Sequence, residues 1–540
     1  MSQVTTTSDE LSDGIATLGG GFAFSTIPGF PYLEYSNLQE RYTNQAHWFS
    51  GRALDETFKV ENKDVEKYPI RINPFPATCM KHAYALFGEV SDDSRPLVLP
   101  KFVVPMGKRK ELKETIEAAE DTMNYLWWEN FGRTLQMKNG ILSQMFGGCV
   151  FGLKWVPWES YRTLHIKIES IDPRFFIGFP IPGDEYRLKE AWIVKPIDWS
   201  AAEYYGVKVE PNTPTYWIEH WTPQKYSFTI NGKPITNVPE AGEDWKSSGD
   251  NEFGFVPYVY IPHNRITGFY GTNVYDALTG IVKEYNLRMA DYGDAVSQDA
   301  HNHVVMSNTQ GSPQIRRIDD GLKAIDLGNS AAITGSEHEP KMYELRKPSA
   351  SVPMKDLTVS LLKEYRRGAF LPAVADGEDE GSQRSGETLM IRMWPLISHT
   401  SSERYFWTGG LDWLTRMALI ILRAKGEGAI TDEHLAMRTK HDWAPPLPKD
   451  REAVVNEAVN RMSTNLGSPQ KLMDMLGEED PDETTEELLE WLTALAEVTA
   501  DATAAAYAKY NPQQQGGEGG GQKGVASKGN ANPSGANSAS

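Results

Sequence analysis

The segment LLKEYRRGAFLPAVADGEDEGSQRSGETLMIRM, residues 361–393, joins two helical patterns through an acidic loop rich in Gly and Ser. The first helix is predicted over 351–370 and ends before Pro372, because proline lacks a backbone N–H and restricts the residue before it. A long second helix is predicted from Ser385 to about residue 425, with a kink or break at Pro395. Four acids lie within residues 376–380. The loop is therefore either a solvated linker or a segment that faces a polyanion without binding it.

A small β module precedes this segment. Residues 301–350 break into the short strand-like runs HVVMSN, QIRRID, LKAIDLG and KMYELR. Before them, a helix is predicted over 271–300 from an apolar stripe. The stripe consists of Val274, Leu278, Ile281 and Tyr285. Two helices therefore bracket the β module and form a hairpin-like stalk that carries the module at its end.

The flanking regions complete an α+β pattern. Helices are predicted near 35–58, 74–88, 107–129 and 130–146, and again over 450–476 and 482–509. Residues 149–262 alternate between apolar and polar types and are rich in aromatic residues, which predicts strands. Within them, Asn231-Gly232 predicts a hairpin turn and Asp172-Pro173 a turn at a strand end. The run RYFWTGGLDWL, residues 404–414, is either core or a contact surface.

Composition excludes several function classes. The net charge of −19 argues against a protein that grips nucleic acid by a basic surface, although it does not exclude one that lets nucleic acid pass. Cys79 and Cys149 are expected to be buried and reduced. The most apolar helical run, MALIIL at 417–422, is too short to span a bilayer, so no membrane association is expected.

The sequence gives no positive case for an enzyme. It contains no phosphate-binding G-x-x-x-x-G-K-[ST] motif and no G-x-S-x-G nucleophile motif. His301 and His303 alternate on a strand-like run without the further ligands that a metal site needs. We therefore expect no catalytic residue, no metal site and no cofactor.

The order of the motifs resembles that of bacteriophage portal proteins. GGCVFGLKWV followed by SIDPRFF resembles the family's Gly-rich start of a β region and its Asp-Pro strand end. FYGTNVYDALTGIVKEYNLRMADYGDAV resembles a first stem helix, and residues 361–393 resemble a second stem helix, a tunnel loop and the start of a long helix. DWAPPLPKDREAVVNEAV and GSPQKLMDMLGEEDPDETTEELLEWL resemble the family's late helical segment. The likeness covers about 35–500, while the polar leader, the large β region and the tail depart from the pattern.

The resemblance implies an α+β portal fold that assembles as a ring around a central channel. It divides the chain into a flexible leader, a wing, two stem helices around a clip, a tunnel loop, a long wing helix, a helical crown and a disordered tail. The flexible leader is 1–30 and the wing is 31–270. The first stem helix is 271–300, the clip 301–350, the second stem helix 351–371 and the tunnel loop 372–385. The long wing helix is 386–448, the helical crown 449–510 and the disordered tail 511–540.

The function that the resemblance implies is that of a head-to-tail connector. A ring of about twelve subunits would sit at the unique capsid vertex and conduct double-stranded DNA during packaging and ejection. It would dock the large terminase subunit and a head–tail adaptor, and would meet the major capsid and scaffolding proteins. The chain would be made in the host bacterial cytoplasm and end in the virion. The energy for pumping would come from a partner ATPase.

Two groups of residues carry this expectation. The tunnel loop would face DNA with its acids repelling phosphates, its glycines giving freedom to the backbone and its last polar residues contacting phosphates briefly. These residues are Asp376, Gly377, Glu378, Asp379, Glu380, Gly381, Ser382, Gln383 and Arg384. In the clip, Arg316, Arg317 and Lys323 would contact terminase or the adaptor, or would simply keep a strand edge soluble.

Two other classes remain as alternatives to the portal reading. A tail or baseplate adaptor is also oligomeric and acidic, but such adaptors are usually much shorter than this chain of 540 residues. A hydrolase would need a polar pocket with perturbed carboxyl groups, and no spacing in the sequence nominates one.

Overall fold

The chain is described here from a computed structural model. It describes residues 24–57, 71–88, 96–103, 112–239, 241, 245–266, 268–300, 304–307, 314–317, 323–326, 341–344, 351–377, 386–446, 451–464, 466, 468–476 and 481–510. The chain divides into two compact units, Met1–Pro448 and Lys449–Ser540.

The first unit contains ten of the described helices. They are α1 (Tyr32–Ser50), α2 (Arg52–Thr57), α3 (Phe75–Phe87), α4 (Lys113–Glu129), α5 (Gly132–Phe146), α6 (Trp199–Tyr204), α7 (Thr279–Ala300), α8 (Ser351–Gly368), α9 (Gly386–Lys425) and α10 (Asp432–Ala436). Helix α5 ends as the sequence predicts, because Gly147 takes the left-handed conformation at φ 79°.

Antiparallel strands form the rest of the first unit. They are β1 (Val98–Val103), β2 (Gly148–Trp155), β3 (Ile166–Ile171), β4 (Phe176–Ile181), β5 (Asp184–Ile197), β6 (Thr215–Trp221), β7 (Lys225–Ile230), β8 (Lys233–Pro234), β9 (Ser248–Asp250), β10 (Tyr258–Pro262), β11 (Val304–Ser307), β12 (Gln314–Arg317), β13 (Lys323–Asp326), β14 (Lys341–Glu344) and β15 (Arg438–Trp443). The largest sheet runs β4-β5-β6-β7-β8, with β9 paired to β7. A second sheet runs β10-β2-β3, and β1 pairs with β15.

The long helix α9 fills the core of the first unit. Trp407 is fully buried and packs edge-on against Phe87 and Phe151, with ring centroids 5.4 Å and 6.1 Å away. Leu411 and Leu414 are buried in the same cluster. The run 404–414 is therefore largely core, except that Tyr405 is exposed. Helix α9 also continues through Pro395, so the predicted break does not occur.

Helices α7 and α8 pack against each other and bracket the four short strands β11 to β14. Strand β11 pairs with β14, and β12 pairs with β13. Helix α7 begins at Thr279 rather than at the predicted residue 271. The reason is local, because the side-chain oxygen of Asn273 accepts the backbone N–H groups of Tyr275 and Asp276 and holds this segment outside the helix.

The second unit contains helices α11 (Arg451–Ser463), α12 (Pro469–Leu476) and α13 (Pro481–Tyr510). Helix α12 packs against both of the others. The predicted disordered tail, 511–540, lies outside the described residues.

The α+β class is confirmed, with several antiparallel sheets. Residues 24–30, which were predicted to belong to the leader 1–30, are part of the folded body, because Phe24 and Phe30 are buried and stack with ring centroids 5.2 Å apart. Residues 1–23 lie outside the described residues. Within the segment 386–448, helix α9 ends at Lys425, as predicted from the sequence, and the chain continues through α10 and β15. The division into wing, stem, clip and crown stays a prediction.

Candidate functional site

The end of α8 and the turn after it form the described root of the predicted tunnel loop. Helix α8 ends at Gly368, and a short 3-10 turn follows over Ala373–Asp376. Gly377 then closes the turn in the left-handed conformation, at φ 74°, and its N–H donates to the carbonyl of Val374 at 3.0 Å. The geometry of this root is therefore fixed up to Gly377.

Helix α3 holds this root through one of its faces. Thr78, Lys81 and His82 are three and four residues apart, a spacing that places them side by side on a helix. The Oγ1 of Thr78 lies 2.6 Å from the hydroxyl of Tyr365, and Nε2 of His82 lies 2.8 Å from the carbonyl oxygen of Ala369. Lys81 forms an ion pair with Asp376. Three polar contacts thus attach the end of α8 and the turn to α3.

Burial decides the protonation of His82. Its side chain is fully buried, and this burial, with the neighbouring His399 second, lowers the pKa of His82 to about 3. The ring is therefore neutral at pH 7, and Nε2–H can donate to the carbonyl of Ala369.

Asp376 is paired with two cations. Besides Lys81, Nε of Arg366 lies 3.0 Å from Oδ2 of Asp376, and the Arg366 side chain is mostly buried. The negative charge of Asp376 is thus compensated within the subunit. The other residues assigned to the loop from sequence, except Gly377, lie outside the described residues. They are Glu378, Asp379, Glu380, Gly381, Ser382, Gln383 and Arg384.

A basic cleft that the sequence reading missed adjoins the root. Lys363, Arg366 and Arg367 line a cleft of 690 Å³ together with Phe370 and Pro395. Arg367 is largely exposed and pairs with Glu364 in the same helix at 3.1 Å. The signal was present as KEYRR in the last turns of a predicted helix, where cations interact favourably with the helix dipole.

Phe370 fixes the wall of this cleft. Its backbone is left-handed, at φ 55°, which is rare for a residue other than glycine. The ring stacks on that of His399 in α9 with centroids 4.8 Å apart. Burial, followed by the effect of His263, lowers the pKa of His399 to about 4, so the stacked imidazole is neutral at pH 7.

The basic residues predicted in the clip lie on one two-stranded sheet. Arg317 is paired with Lys323 across the β12–β13 ladder, and Arg316 is paired with Ala324. The structure therefore brings Arg317 and Lys323 together in the backbone register, on elements far along the chain from the tunnel-loop root.

Two features of the described residues bear on other functions. Among them, no cluster of three or more His, Cys, Asp or Glu side chains has an arrangement that would hold a metal ion. Within the same part of the chain, no helix combines the length and the apolar character needed to cross a membrane. Cys79 and Cys149 are buried free thiols, as predicted.

Comparison with known protein families decides the identity. The family model described as "Phage portal protein, SPP1 Gp6-like" matches residues 200–499, which is more than half of the chain. This chain belongs to the phage portal protein family. The resemblance seen in the sequence is confirmed, and no curated protein compared with the chain matches it.

Family membership settles the class of function. Portal proteins are structural and non-enzymatic, so the hydrolase alternative is wrong. Members of the family are virion components. Membership implies an oligomeric ring and, in general terms, the role of a conduit for DNA packaging. The match includes α7, the strands after it, α8 and the described root of the tunnel loop.

Proposed function

We propose that this portal protein forms a ring of about twelve subunits at the unique capsid vertex and conducts double-stranded DNA during packaging and ejection. The observation that carries the proposal is the arrangement of α7 and α8. These helices pack together, bracket a small β module and lead through a fixed turn into an acidic segment, all within the family match. Such a subunit has a stalk, formed by α7 and α8, an outer tip, formed by β11 to β14, and a loop root, formed by the turn that ends at Gly377.

A conduit must surround DNA without trapping it. A protein that neutralises about six to ten phosphates binds DNA tightly and with a steep dependence on salt. In our proposal Glu378, Asp379 and Glu380 keep the channel from doing so. Asp376 contributes little repulsion, because Lys81 and Arg366 compensate its charge. Its role is to hold the loop root in place.

Ring formation would cover apolar surface that one subunit leaves open. Met390, Ile391 and Trp394 at the start of α9 are each more than half exposed, and Trp394 is 65% exposed. Val352 on α8 is also mostly exposed. Exposed apolar patches mark interaction sites, and a closed ring needs two different faces of each subunit to meet.

The outer tip would dock the proteins outside the capsid. Arg317 and Lys323 are directly paired in the backbone register of β12 and β13, so this small sheet carries two basic residues at one register position. An acidic partner would be complementary in charge to these two residues. We therefore propose this sheet as the contact for the large terminase subunit and the head–tail adaptor. In the same proposal, other surfaces of the ring contact the major capsid and scaffolding proteins at the portal vertex of the virion.

Neutralising the loop acids tests the proposal. Glu378→Gln, Asp379→Asn and Glu380→Gln, made together, should slow DNA packaging into procapsids at least about threefold, because the channel lining then no longer repels phosphates and its remaining cations and amides can bind them. Packaged, nuclease-resistant DNA is measured over time. The matched control is Glu114→Gln, Glu203→Gln and Glu210→Gln, which removes the same charge from exposed positions elsewhere.

The control should package at the wild-type rate. Equal rates for the two triple variants and the wild type would show that the loop is only a linker. Slowing by the control to the same extent would show that net charge, rather than the loop, controls packaging.

A further inference from the structure

A pocket lined by aromatic side chains lies on the largest sheet, away from the site described above. It has a volume of 320 Å³. We call it the aromatic pocket and define it by Trp155, Trp217, Trp221, Tyr226, Phe228 and Trp245. Each of these side chains is partly exposed. A cavity of this size and lining is typical of a binding site rather than of core packing.

The pleat of the sheet explains why the aromatic residues gather there. Trp217 and Trp221 are two residues to either side of Glu219 on β6, so they share one face. In the register, Trp221 pairs with Tyr226 and Glu219 pairs with Phe228. Tyr216 and Ile218 point to the other face, where they are buried.

The polar groups of the pocket select an apolar occupant with charge at its margin. At the floor, Nζ of Lys154 is 3.1 Å from Glu219 and 2.8 Å from Glu169, so these charges compensate each other. Lys425 lies 5.6 Å from the ring of Trp155 and 2.7 Å from Glu252. Lys246, an exposed residue of the lining, offers a cation to an acidic occupant, and the exposed acids of the lining are Asp250 and Glu252, of which Glu252 pairs with Lys425.

The chain's own N-terminal segment joins the described structure beside this sheet. Phe24 packs on Tyr216 with ring centroids 4.9 Å apart, and Tyr216 is the neighbour of Trp217 on β6. Ile27 lies next to Gly232 in the turn between β7 and β8. Residues 1–23 therefore start from the edge of the sheet that carries the pocket on its other face.

The sequence of this segment matches the pocket. Leu11, Ile15 and Leu18 are four and three residues apart, a spacing typical of the apolar side chains of an amphipathic sequence. In the sequence, the acids Asp9, Glu10 and Asp13 flank these residues, and Gly19, Gly20 and Gly21 follow them. An extended chain covers about 3.3 Å per residue, so the segment is long enough to pass around the edge of the sheet to its other face.

We propose that the aromatic pocket binds the N-terminal segment of the same chain, which places Leu11, Ile15 and Leu18 on the aromatic rings and its acids beside Lys246. Tethering favours this occupant, because a short linker raises the local concentration of the segment to about the millimolar range. The assignment does not depend on ring formation or on DNA.

Disulfide cross-linking of the full chain tests the assignment. The natural thiols are buried, so they give little background reaction. The pair Ile15→Cys with Lys246→Cys should oxidise to an intramolecular disulfide at least about tenfold faster than the control pair Ile15→Cys with Lys189→Cys. Lys189 is an exposed lysine on β5 outside the pocket lining. Non-reducing gel mobility separates the products.

A second variant guards against a cross-link that forms by chance encounter. Leu11→Ser with Leu18→Ser, added to the first pair, should reduce the rate to that of the control. Equal rates for the two pairs, or no loss in the serine variant, would overturn the assignment. Cross-linked dimers in place of the intramolecular product would overturn it in favour of a neighbouring copy as the occupant.

Discussion

His82 and His399 show how single buried side chains tie the predicted tunnel loop to the body of the subunit. One binds the carbonyl of Ala369 and the other stacks on Phe370, and their rings lie 4.9 Å apart. Both are neutral at pH 7 because burial disfavours the imidazolium. The packing at the end of α8 therefore depends on two imidazoles whose protonation would destabilise the fold.

These lowered pKa values predict acid sensitivity. The pKa of His399 is about 4 in the fold, below its ordinary value of 6.5, so the unfolded chain binds more protons between these limits. The free energy of unfolding should be fully present above about pH 6.5 and fall as the pH drops toward 4. His399→Phe should lose less between pH 7.5 and 5.0 than the wild type, by about 2 kcal/mol. Urea unfolding at both pH values measures this.

The comparison within each protein is the control, since the substitution itself changes stability at every pH. Parallel pH profiles for the two proteins would contradict the assignment of a neutral buried His399.

Asp376 gives a second prediction at this scale. Asp376→Asn should lower the free energy of unfolding by about 1 kcal/mol, because it removes the ion pair with the mostly buried Arg366. Glu364→Gln removes the partner of the exposed Arg367 and should cost less than about 0.5 kcal/mol. Denaturant unfolding of both variants distinguishes them. Equal losses would mean that Asp376 is only a surface acid.

Among the elements, the junction of α5 and β2 is tightly constrained. A Cβ on Gly147 would lie 2.5 Å from the carbonyl oxygen of Gly271, and the φ of 79° disfavours any side chain. The carbonyl of Gly147 also accepts the N–H of His263 at 3.0 Å. This junction therefore sets the position of the segment that leads into α7.

Gly147→Ala should lower the free energy of unfolding by about 3 kcal/mol or more, since backbone strain and a clash act together. Gly254→Ala is the matched control, because Gly254 has a similar φ of 71° with nothing within 4 Å of the added Cβ. It should cost about 1 kcal/mol. Thermal or denaturant unfolding gives both values, and similar losses would contradict the close approach of Gly147 to Gly271.

Local signals in the sequence predicted many of these elements. The Asn231-Gly232 turn is a hairpin with positive φ at both residues, and Asp172 caps the turn that starts at Pro173. Pairings between distant segments left no such signal. The β1–β15 ladder and the contacts of α3 with the end of α8 join residues hundreds of positions apart, so only the folded chain shows them.

At the scale of the whole molecule, the sequence contained the family pattern but not the local charge distribution. The order of helices, β module and acidic loop identified the portal family, and the family match confirms it. The net charge of −19 fits a surface that DNA passes without binding. The basic cleft at Lys363, Arg366 and Arg367 was not predicted, because basic residues are common at the C-terminal end of a helix, where they interact favourably with the helix dipole.

Single-particle electron microscopy of the purified chain tests the central claim most directly. The account predicts a closed ring of about twelve subunits, since contacts between two different faces close only by rotation, with a channel wide enough for a DNA duplex and residues 376–380 at its wall. A monomer, a compact dimer, or a ring whose channel is too narrow for duplex DNA would contradict it.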